Sequence, residues 1–293
     1  REGMATLAQL FGPLAGRGKE LAQCLRRLES LALALDAFLQ TDDEQVSWYE
    51  LSERSFRLVR SPLEVARPFR EQLQLADFRS VFFTSATLSS QQSFRYYCER
   101  LGLDDIECAR FDSPFDYAQQ AMLYLPRHLP EPSDDRYPML FGELCRELVD
   151  ACAGHTFILF TSYRMLSLTA EYLRAHCRFP LLVQGEMQRN ELLQQFMRTD
   201  NPVLLGTSSF WEGVDVKGDQ LRCVIIDKLP FKSPADPVYR KRIQRVNQAG
   251  GNAFFEVQIP EATISLRQGV GGAFVFEEQI LVKLIEYLFE HFR

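Results

Sequence analysis

A repeated alternation of apolar runs and helical segments between residues 121 and 227 constrains the fold more than any other feature. Helical periodicity predicts helices over 138–153 and 165–176, and a third helix that ends at Met197. Strands that alternate with helices of this length predict a parallel sheet covered by helices on both faces, and therefore an α/β fold. The predicted strands of this region are 122–124, 155–161, 181–184, 203–205 and 223–227.

Each of the last four predicted strands ends in a polar turn. Because the carboxyl ends of parallel strands meet at one edge of a sheet, we expect these turns to line a common edge. Glycine lets the backbone approach a phosphate closely, and Thr and Ser hydroxyls can donate to phosphate oxygens. For the turn at Gly206, an ordinary loop with Trp211 packed in the core remains the alternative. The four turns are Thr161-Ser162-Tyr163, Gln184-Gly185-Glu186, Gly206-Thr207-Ser208-Ser209 and Asp227-Lys228.

The N-terminal third of the chain shows a different pattern. Its apolar residues first recur at helical spacing, and two β-rich runs follow across a short charged turn. A helix and one more apolar run, which predicts a buried strand, come next. In order, the predicted elements are a helix from Gly18 to Phe38, strands at 46–51 and 56–59, a helix from Pro62 to Leu73 and a strand at 80–84.

The strand predicted at 80–84 delivers the turn Thr84-Ser85-Ala86-Thr87. Small hydroxyl side chains at a strand end can hydrogen-bond to a carboxylate or a water in a cleft without filling it. Thr87 or Ser89 can also cap the helix predicted from Gln92 to Leu101. The two roles are compatible.

Composition limits where a polyanion can bind. The formal net charge is −6, so nucleic-acid binding requires a local groove of donors and cations. A predicted basic helix over 239–248 carries Arg240, Lys241, Arg242 and Arg245, which can either follow a phosphate chain or form a solvated charged face. Seven scattered cysteines without a C-x-x-C pair are typical of reduced core thiols, and we expect a cytoplasmic protein without a signal peptide or membrane span.

Taken together, the motifs resemble those of superfamily 2 helicases of the DinG/YoaA branch, which is related to XPD. Within this branch, the motif sequences are most similar to those of YoaA-type helicases. The resemblance runs from about Trp48 to Gly271. It rests on T-S-A-T at 84–87, F-T-S-Y at 160–163, S-S-F-W-E-G-V-D-V-K-G-D at 208–219, I-I-D-K-L-P-F-K-S-P-A-D-P at 225–237 and L-R-Q-G-V-G at 266–271.

The resemblance implies a domain organisation with a RecA-like parallel sheet at its centre. Residues 1–45 would end a helical, arch-like insertion, and 46–118 would form the C-terminal part of the first RecA-like motor domain, including the β-hairpin. Residues 119–272 would form the second RecA-like motor domain, the helicase C-terminal lobe. The tail 273–293 has an amphipathic stripe but does not continue the family pattern.

The resemblance also implies roles for individual residues. Motif III, at Thr84, Ser85, Ala86 and Thr87, would couple nucleotide state to DNA grip. The ATP side of the cleft would include Gly213, Asp215, Gln268 and Gly271. Single-stranded DNA would be held by Thr161, Ser162, Tyr163, Thr207 and Ser208, with Arg242 and Arg245 on the basic helix. No metal ligands are assigned.

The implied function is that of the C-terminal motor portion of an ATP-dependent 5′-to-3′ DNA helicase of repair or replication. ATP and Mg²⁺ would be bound mostly by the N-terminal helicase lobe, which is the expected partner together with single-stranded DNA. For the YoaA branch, a replisome clamp-loader accessory subunit is a further expected partner.

Three departures from the family pattern bear on activity. The sequence contains no G-x-x-x-x-G-K-[ST] loop and no D-E-A-H-type box, and Gly18-Lys19 fails the phosphate-loop pattern at Pro13 and Glu20. The family's iron–sulfur cysteine cluster has no counterpart. Gly271 is followed by Gly272, and no arginine comes before Arg293, although an arginine finger is worth ~10³–10⁵ in rate. We therefore expect this chain alone to be inactive. The alternatives are an ATPase-inactive DNA- or protein-binding module and an unrelated α/β nucleotide-binding or phosphotransfer domain.

Overall fold

The computed structural model describes residues 2–40, 42–85, 87–89, 93–111, 121–210, 216 and 218–271. Its strands are β1 (Gln45–Leu51), β2 (Phe56–Pro62), β3 (Thr156–Leu159), β4 (Leu181–Val183), β5 (Val203–Gly206) and β6 (Cys223–Ile226). Its helices are α1 (Glu2–Phe11), α2 (Lys19–Leu39), α3 (Ala66–Leu75), α4 (Arg95–Leu101), α5 (Tyr137–Ala151), α6 (Tyr163–His176), α7 (Arg189–Arg198), α8 (Pro237–Gln248) and α9 (Ile259–Gly271).

The centre of the molecule is a four-stranded parallel sheet in the order β4-β5-β3-β6. In the central strand β3, Ile158 lies opposite Leu205 of β5 and Ile225 of β6. Every residue of β3 and β5 is buried, which is why both strands read as unbroken apolar runs. The predicted parallel α/β sheet is confirmed.

Alternate residues of the strands feed two cores, one on each face of the sheet. On one face, Ile158 and Leu205 pack with the apolar sides of α5 and α6. On the other, Phe157 and Leu204 pack with residues of α7 and α9, and the rings of Phe157 and Phe196 meet edge to face at 4.6 Å between centroids. The sheet is thus covered on both sides, as its sequence pattern predicts.

The N-terminal helices form a much looser unit. α1 and α2 are joined by a 3-10 turn over Gly12–Arg17. Because α2 begins at Lys19, the helix predicted from Gly18 is confirmed. None of the residues of α2 is buried, and Leu33 is 71% exposed. The amphipathic stripe of α2 therefore has little to pack against in the described part of the chain.

The predicted β-hairpin is present, with Trp48 of β1 opposite Val59 of β2. Pro62 ends β2 and does not begin a helix, so α3 starts four residues later than predicted. A proline suits this position because the end of an edge strand needs no further N–H donor. Leu63, directly after the hairpin, is fully buried.

Two predicted strands are wrong. Residues 80–84 and 122–124 have no regular structure, and Phe82 and Met122 are 90% and 89% exposed. Among the described residues neither run takes part in a ladder of strand hydrogen bonds. Phe83 uses its apolar character differently, packing against the rings of Phe69 and Tyr97 at 6.2 and 6.1 Å. The amphipathic helix predicted from Phe276 lies outside the described residues.

Candidate functional site

All four strands of the parallel sheet deliver their following loops to one edge. Gln184 follows β4, Thr207 follows β5, Thr161 comes shortly after β3 and Asp227 follows β6. Backbone bonds continue the ladder into this edge: the Gln184 N–H donates to the Leu205 carbonyl, at an N···O distance of 2.9 Å. The four polar turns singled out in the sequence are therefore neighbours, and their side chains form two hydrogen-bonded groups.

The first group is centred on the carboxylate of Asp227. Its Oδ1 accepts the backbone N–H of Thr161 at 2.9 Å, and its Oδ2 accepts the Thr161 hydroxyl at 3.3 Å. The Tyr137 hydroxyl donates to the Asp227 carbonyl at 2.8 Å. Asp227 is only 7% exposed, and this burial raises the pKa of its carboxyl to about 6. The start of the loop after β3 is thus fixed from the neighbouring strand.

The loop after β3 leads directly into α6. Ser162 is the N-cap: its hydroxyl oxygen accepts the Met165 N–H at 3.3 Å. Tyr163, the first residue of the helix, is 62% exposed. The unpaired N–H groups of a helix start favour negative charge, so the sequence places an anion-attracting helix end at this edge.

The second group is centred on the side-chain amide of Gln184. Its Oε1 accepts the Thr207 N–H at 2.6 Å and the Thr207 hydroxyl at 3.0 Å. Its Nε2 donates to the Tyr163 hydroxyl at 2.9 Å and to the Ser209 hydroxyl at 3.1 Å. Thr207 is only 4% exposed, so its hydroxyl serves the loop itself. Sequence reasoning placed Gln184 in a polar turn but did not single it out. Its position directly after a strand at the edge of the sheet could have drawn attention to it.

Two further residues shape the turn after β5. The ring of Phe210 is buried beneath Gly206, where an added Cβ would lie 2.6 Å from the Phe210 Cδ2 atom. The Arg189 Nε donates to the Ser209 carbonyl at 2.7 Å, and the guanidinium lies over the Phe210 ring at 5.6 Å. Sequence reasoning missed Arg189, which is the first residue of α7 and carries no motif.

The basic helix α8 divides into an inward and an outward face. Arg242 is 9% exposed: its Nε donates to the Leu63 carbonyl at 2.9 Å, and its Nη1 lies 3.6 Å from the Glu261 Oε1. Burial lowers the pKa of its guanidinium. Arg240 and Arg245 are exposed. The structure therefore separates Arg242 and Arg245, which the sequence had grouped together.

Glu261, in the first turn of α9, forms ion pairs with basic side chains from three parts of the chain. Besides Arg242, the Lys232 Nζ lies 3.0 Å from its Oε2 and the Arg100 Nη2 lies 4.0 Å from its Oε1. The Tyr96 hydroxyl donates to the Glu261 Oε1 at 3.3 Å. This cluster joins the α4 segment to the lobe. No local pattern reveals it, because the partners are far apart in sequence.

The turn singled out as motif III lies beside α9. The Thr87 N–H donates to the Ser85 hydroxyl at 3.2 Å, and the two hydroxyl oxygens are also 3.2 Å apart. Thr84 and Ser85 are exposed, whereas Ala86 lies outside the described residues. The Arg267 Nη1 donates to the Ser89 carbonyl at 2.6 Å, which ties this segment to α9 next to Gln268.

The ATP-side residues are described only in part. Gln268 is half-buried in α9, and Gly271 is the last residue of that helix. Gly213 and Asp215 lie outside the described residues. Where the side chains are described, no group of three or more His, Cys, Asp or Glu could hold a metal ion. No described helix has the length and apolar character to cross a membrane.

Comparison with known proteins shows which helicases this chain is similar to. A model of the helicase C-terminal domain matches residues 145–274. The chain is 40% identical over 266 residues to the ATP-dependent DNA helicase YoaA of Haemophilus influenzae, covering 90% of this chain and 41% of that protein. It is 45% identical over 224 residues to the ATP-dependent DNA helicase YoaA of Escherichia coli, covering 76% of this chain and 35% of that protein. The chain is similar to the C-terminal portion of DinG/YoaA-type, XPD-like helicases.

The match concerns a helicase C-terminal portion, since the chain spans about two fifths of the length of these YoaA relatives. A solved XPD helicase structure aligns with a TM-score of 0.53 at 14% identity, over 86% of this chain and 44% of that chain. At this identity the likeness shows the fold alone. The expected RecA-like helicase lobe is confirmed.

Proposed function

We propose that this chain is the C-terminal motor portion of an ATP-dependent 5′-to-3′ DNA helicase that acts in DNA repair or replication. The observation that carries the proposal is the pair of hydrogen-bonded groups at one edge of the sheet, in which Thr161 binds Asp227 and Thr207 binds Gln184. Sequence similarity also supports the proposal, because the chain is 40% identical to a YoaA helicase over 266 residues.

In this proposal the edge grips the phosphate backbone of single-stranded DNA. Phosphate contacts come from hydroxyls, backbone N–H groups and helix starts, and they hold a strand without reading its bases. Ser162 and Tyr163 lie at the start of α6, and Ser208 lies in the turn after β5. The hydrogen bonds of Asp227 and Gln184 hold both loops in place, so little conformational freedom is lost when DNA binds.

The exposed face of α8 adds a weaker electrostatic contribution. Arg240 and Arg245 point outward and can neutralise phosphates along the strand. Arg242 fixes α8 to the segment after the hairpin through the Leu63 carbonyl. It therefore supports the DNA-binding face and does not belong to it.

On the nucleotide side, we propose that Gly213, Asp215, Gln268 and Gly271 complete an ATP site whose phosphate loop and acidic box belong to the N-terminal helicase lobe. Phosphoryl transfer depends on positioning and charge neutralisation of the phosphates, so this chain alone would not turn over ATP. MgATP would close the cleft between the lobes. The contact of Arg267 with the Ser89 carbonyl supports a coupling route between the motif III turn and α9.

A replisome clamp-loader accessory subunit is proposed as a further partner. This part of the proposal rests on the resemblance to YoaA-type helicases alone.

Binding and turnover are tested together on the full chain. Fluorescence anisotropy with a labelled single-stranded oligonucleotide should show binding that weakens as salt rises. Ser162→Ala combined with Ser208→Ala should weaken it, whereas Ser167→Ala combined with Ser233→Ala should leave it unchanged. ATP turnover should be absent with or without DNA. Lack of binding at about 50 mM salt, or measurable ATP turnover, would overturn the corresponding half of the proposal.

A further inference from the structure

We propose that Gln184 is a positioning residue that turns the hydroxyls of Tyr163 and Ser209 outward as a pair of donors for one backbone phosphate. The inference rests on the proposed DNA-binding function and deepens it. It assigns Ser209, Gln184 and Arg189 to the site, in addition to the residues that the sequence motifs indicated.

The orientation of the Gln184 amide follows from its neighbours. A backbone N–H can only donate, so the Gln184 atom 2.6 Å from the Thr207 nitrogen is the amide oxygen. The other end of the amide is therefore the NH₂ group, which can only donate. That group lies 2.9 Å from the Tyr163 hydroxyl and 3.1 Å from the Ser209 hydroxyl.

Both hydroxyl oxygens consequently accept a hydrogen bond from Gln184. Each hydroxyl carries a single proton, and that proton is directed away from the amide, because an NH₂ group offers no acceptor. Tyr163 is 62% exposed and Ser209 is also exposed, so an acceptor for these protons can come from outside the chain. Two outward O–H donors fixed on one amide match a ligand that offers only acceptors, as a phosphodiester does.

The charges around the pair also suit an anion. The Arg189 Nε donates to the Ser209 carbonyl at 2.7 Å, which places a guanidinium next to one residue of the pair. Glu186, the acidic residue of the same loop as Gln184, forms an ion pair with Arg174. Gln184 itself is neutral, whereas a carboxylate in its place would repel phosphate and attract both hydroxyl protons.

The decisive variant is Gln184→Glu in the full chain. A carboxylate still accepts from Thr207 but has no N–H, so the hydroxyls of Tyr163 and Ser209 turn their protons inward. Affinity for a labelled single-stranded oligonucleotide should fall about tenfold or more, since hydrogen bonds to a charged group are lost. Gln188→Glu is the matched control: Gln188 is exposed, and its side chain makes no capping bond to α7. This control introduces the same charge nearby, and affinity should change by less than about twofold because an exposed charge is well screened.

A double-mutant cycle tests whether Gln184 acts through the two hydroxyls. Tyr163→Phe and Ser209→Ala should each weaken binding by about threefold to tenfold in the natural background, the scale of one hydrogen bond. In the Gln184→Glu background they should add little, because the donors are already lost. Loss of a merely structural residue would leave the effects additive.

The outcomes separate this inference from the proposed function. If the natural chain binds DNA but Gln184→Glu matches Gln188→Glu, or Tyr163→Phe and Ser209→Ala bind as the natural chain does, the inference is overturned and the proposed function stands. The two hydroxyl variants keep this test available even if Gln184→Glu does not fold. If the natural chain does not bind single-stranded DNA, the proposed function fails and the inference fails with it.

Discussion

The buried carboxylate of Asp227 accepts both the N–H and the hydroxyl of Thr161, joining the ends of two adjacent strands. Burial raises its pKa from 3.8 to about 6, so between these values the folded chain holds a proton that the unfolded chain has released. The stability contributed by that proton is present at low pH and is lost as pH rises towards 6.

Asp227→Asn removes this titration but keeps a polar group beside Thr161. The variant should therefore gain stability relative to the natural chain between pH 4 and 6, by roughly 2–3 kcal/mol in total, at about 1.4 kcal/mol per pKa unit. Chemical denaturation of both chains at several pH values measures the difference. A difference that is the same at every pH would contradict the prediction.

Glu261→Gln tests the charged cluster that joins α4, α8 and α9. The change leaves the buried guanidinium of Arg242 without its carboxylate partner, and removal of one member of a buried pair is costly. The free energy of unfolding should fall by about 2–4 kcal/mol in urea denaturation. Glu50→Gln breaks the exposed pair with Arg57 and should change it by less than about 0.5 kcal/mol. An equal change in the free energy of unfolding for both variants would show that the buried cluster stabilises the fold no more than an exposed ion pair.

Gly206→Ala tests the packing of the turn after β5. The new Cβ would lie 2.6 Å from the buried Phe210 ring, and such overpacking costs about 1–3 kcal/mol. Gly12→Ala introduces the same methyl group where nothing lies within 4 Å and should cost far less. The denaturation midpoints compare the two directly, and equal midpoints would mean that the ring moves aside freely.

Ser162 can be tested separately as a helix cap and as a phosphate neighbour. Asp and Asn cap as well as Ser, so Ser162→Asp and Ser162→Asn should keep stability, while Ser162→Ala should lose about 0.5–2 kcal/mol. Only Ser162→Asp adds a negative charge, and it alone of the two capped variants should bind single-stranded DNA several-fold more weakly. If Ser162→Asp binds DNA as Ser162→Asn does, this residue does not face the phosphates.

Arg245→Gln and Arg242→Gln should change different properties of the chain, DNA binding in the first case and stability in the second. Arg245 is exposed, so its loss should leave stability unchanged and lower the salt slope of DNA binding by about one. Arg242 is held between Leu63 and Glu261, so its loss should lower stability by about 2 kcal/mol or more. Denaturation and salt-titrated anisotropy measure the two quantities. The assignment of the two faces fails if Arg242→Gln leaves stability unchanged.

The elements predicted most accurately are those whose sequence pattern is local. Unbroken apolar runs predicted β3 and β5 because both strands are buried on two faces. The run at 80–84 has the same character, but an apolar run does not reveal whether another strand lies beside it. Prediction therefore failed where the outcome depended on a neighbour distant in sequence.

The same limit explains the site residues. Arg242 and Arg245 lie three positions apart on one helix, yet Arg242 donates a hydrogen bond to the Leu63 carbonyl, 179 residues away. The role of Gln184 as the centre of a hydrogen-bonded group depends on the strand order, which places its side chain next to Thr207 and Tyr163. Sequence motifs can locate the loops, whereas the contacts between the loops depend on the order of the strands in the sheet.

In the strand order β4-β5-β3-β6, Gln184 follows one edge strand and Asp227 follows the other, and both bind the segment after β3, Gln184 at Tyr163 and Asp227 at Thr161. The side-chain amide of Gln184 does not titrate, so its hydrogen bonds do not depend on pH. The Asp227 carboxylate, in contrast, gains a proton as the solution becomes mildly acidic. A drop in pH therefore changes one of the two attachments of the segment after β3, the one at Thr161, whereas the Gln184 amide, which binds Tyr163 and Thr207, stays unchanged.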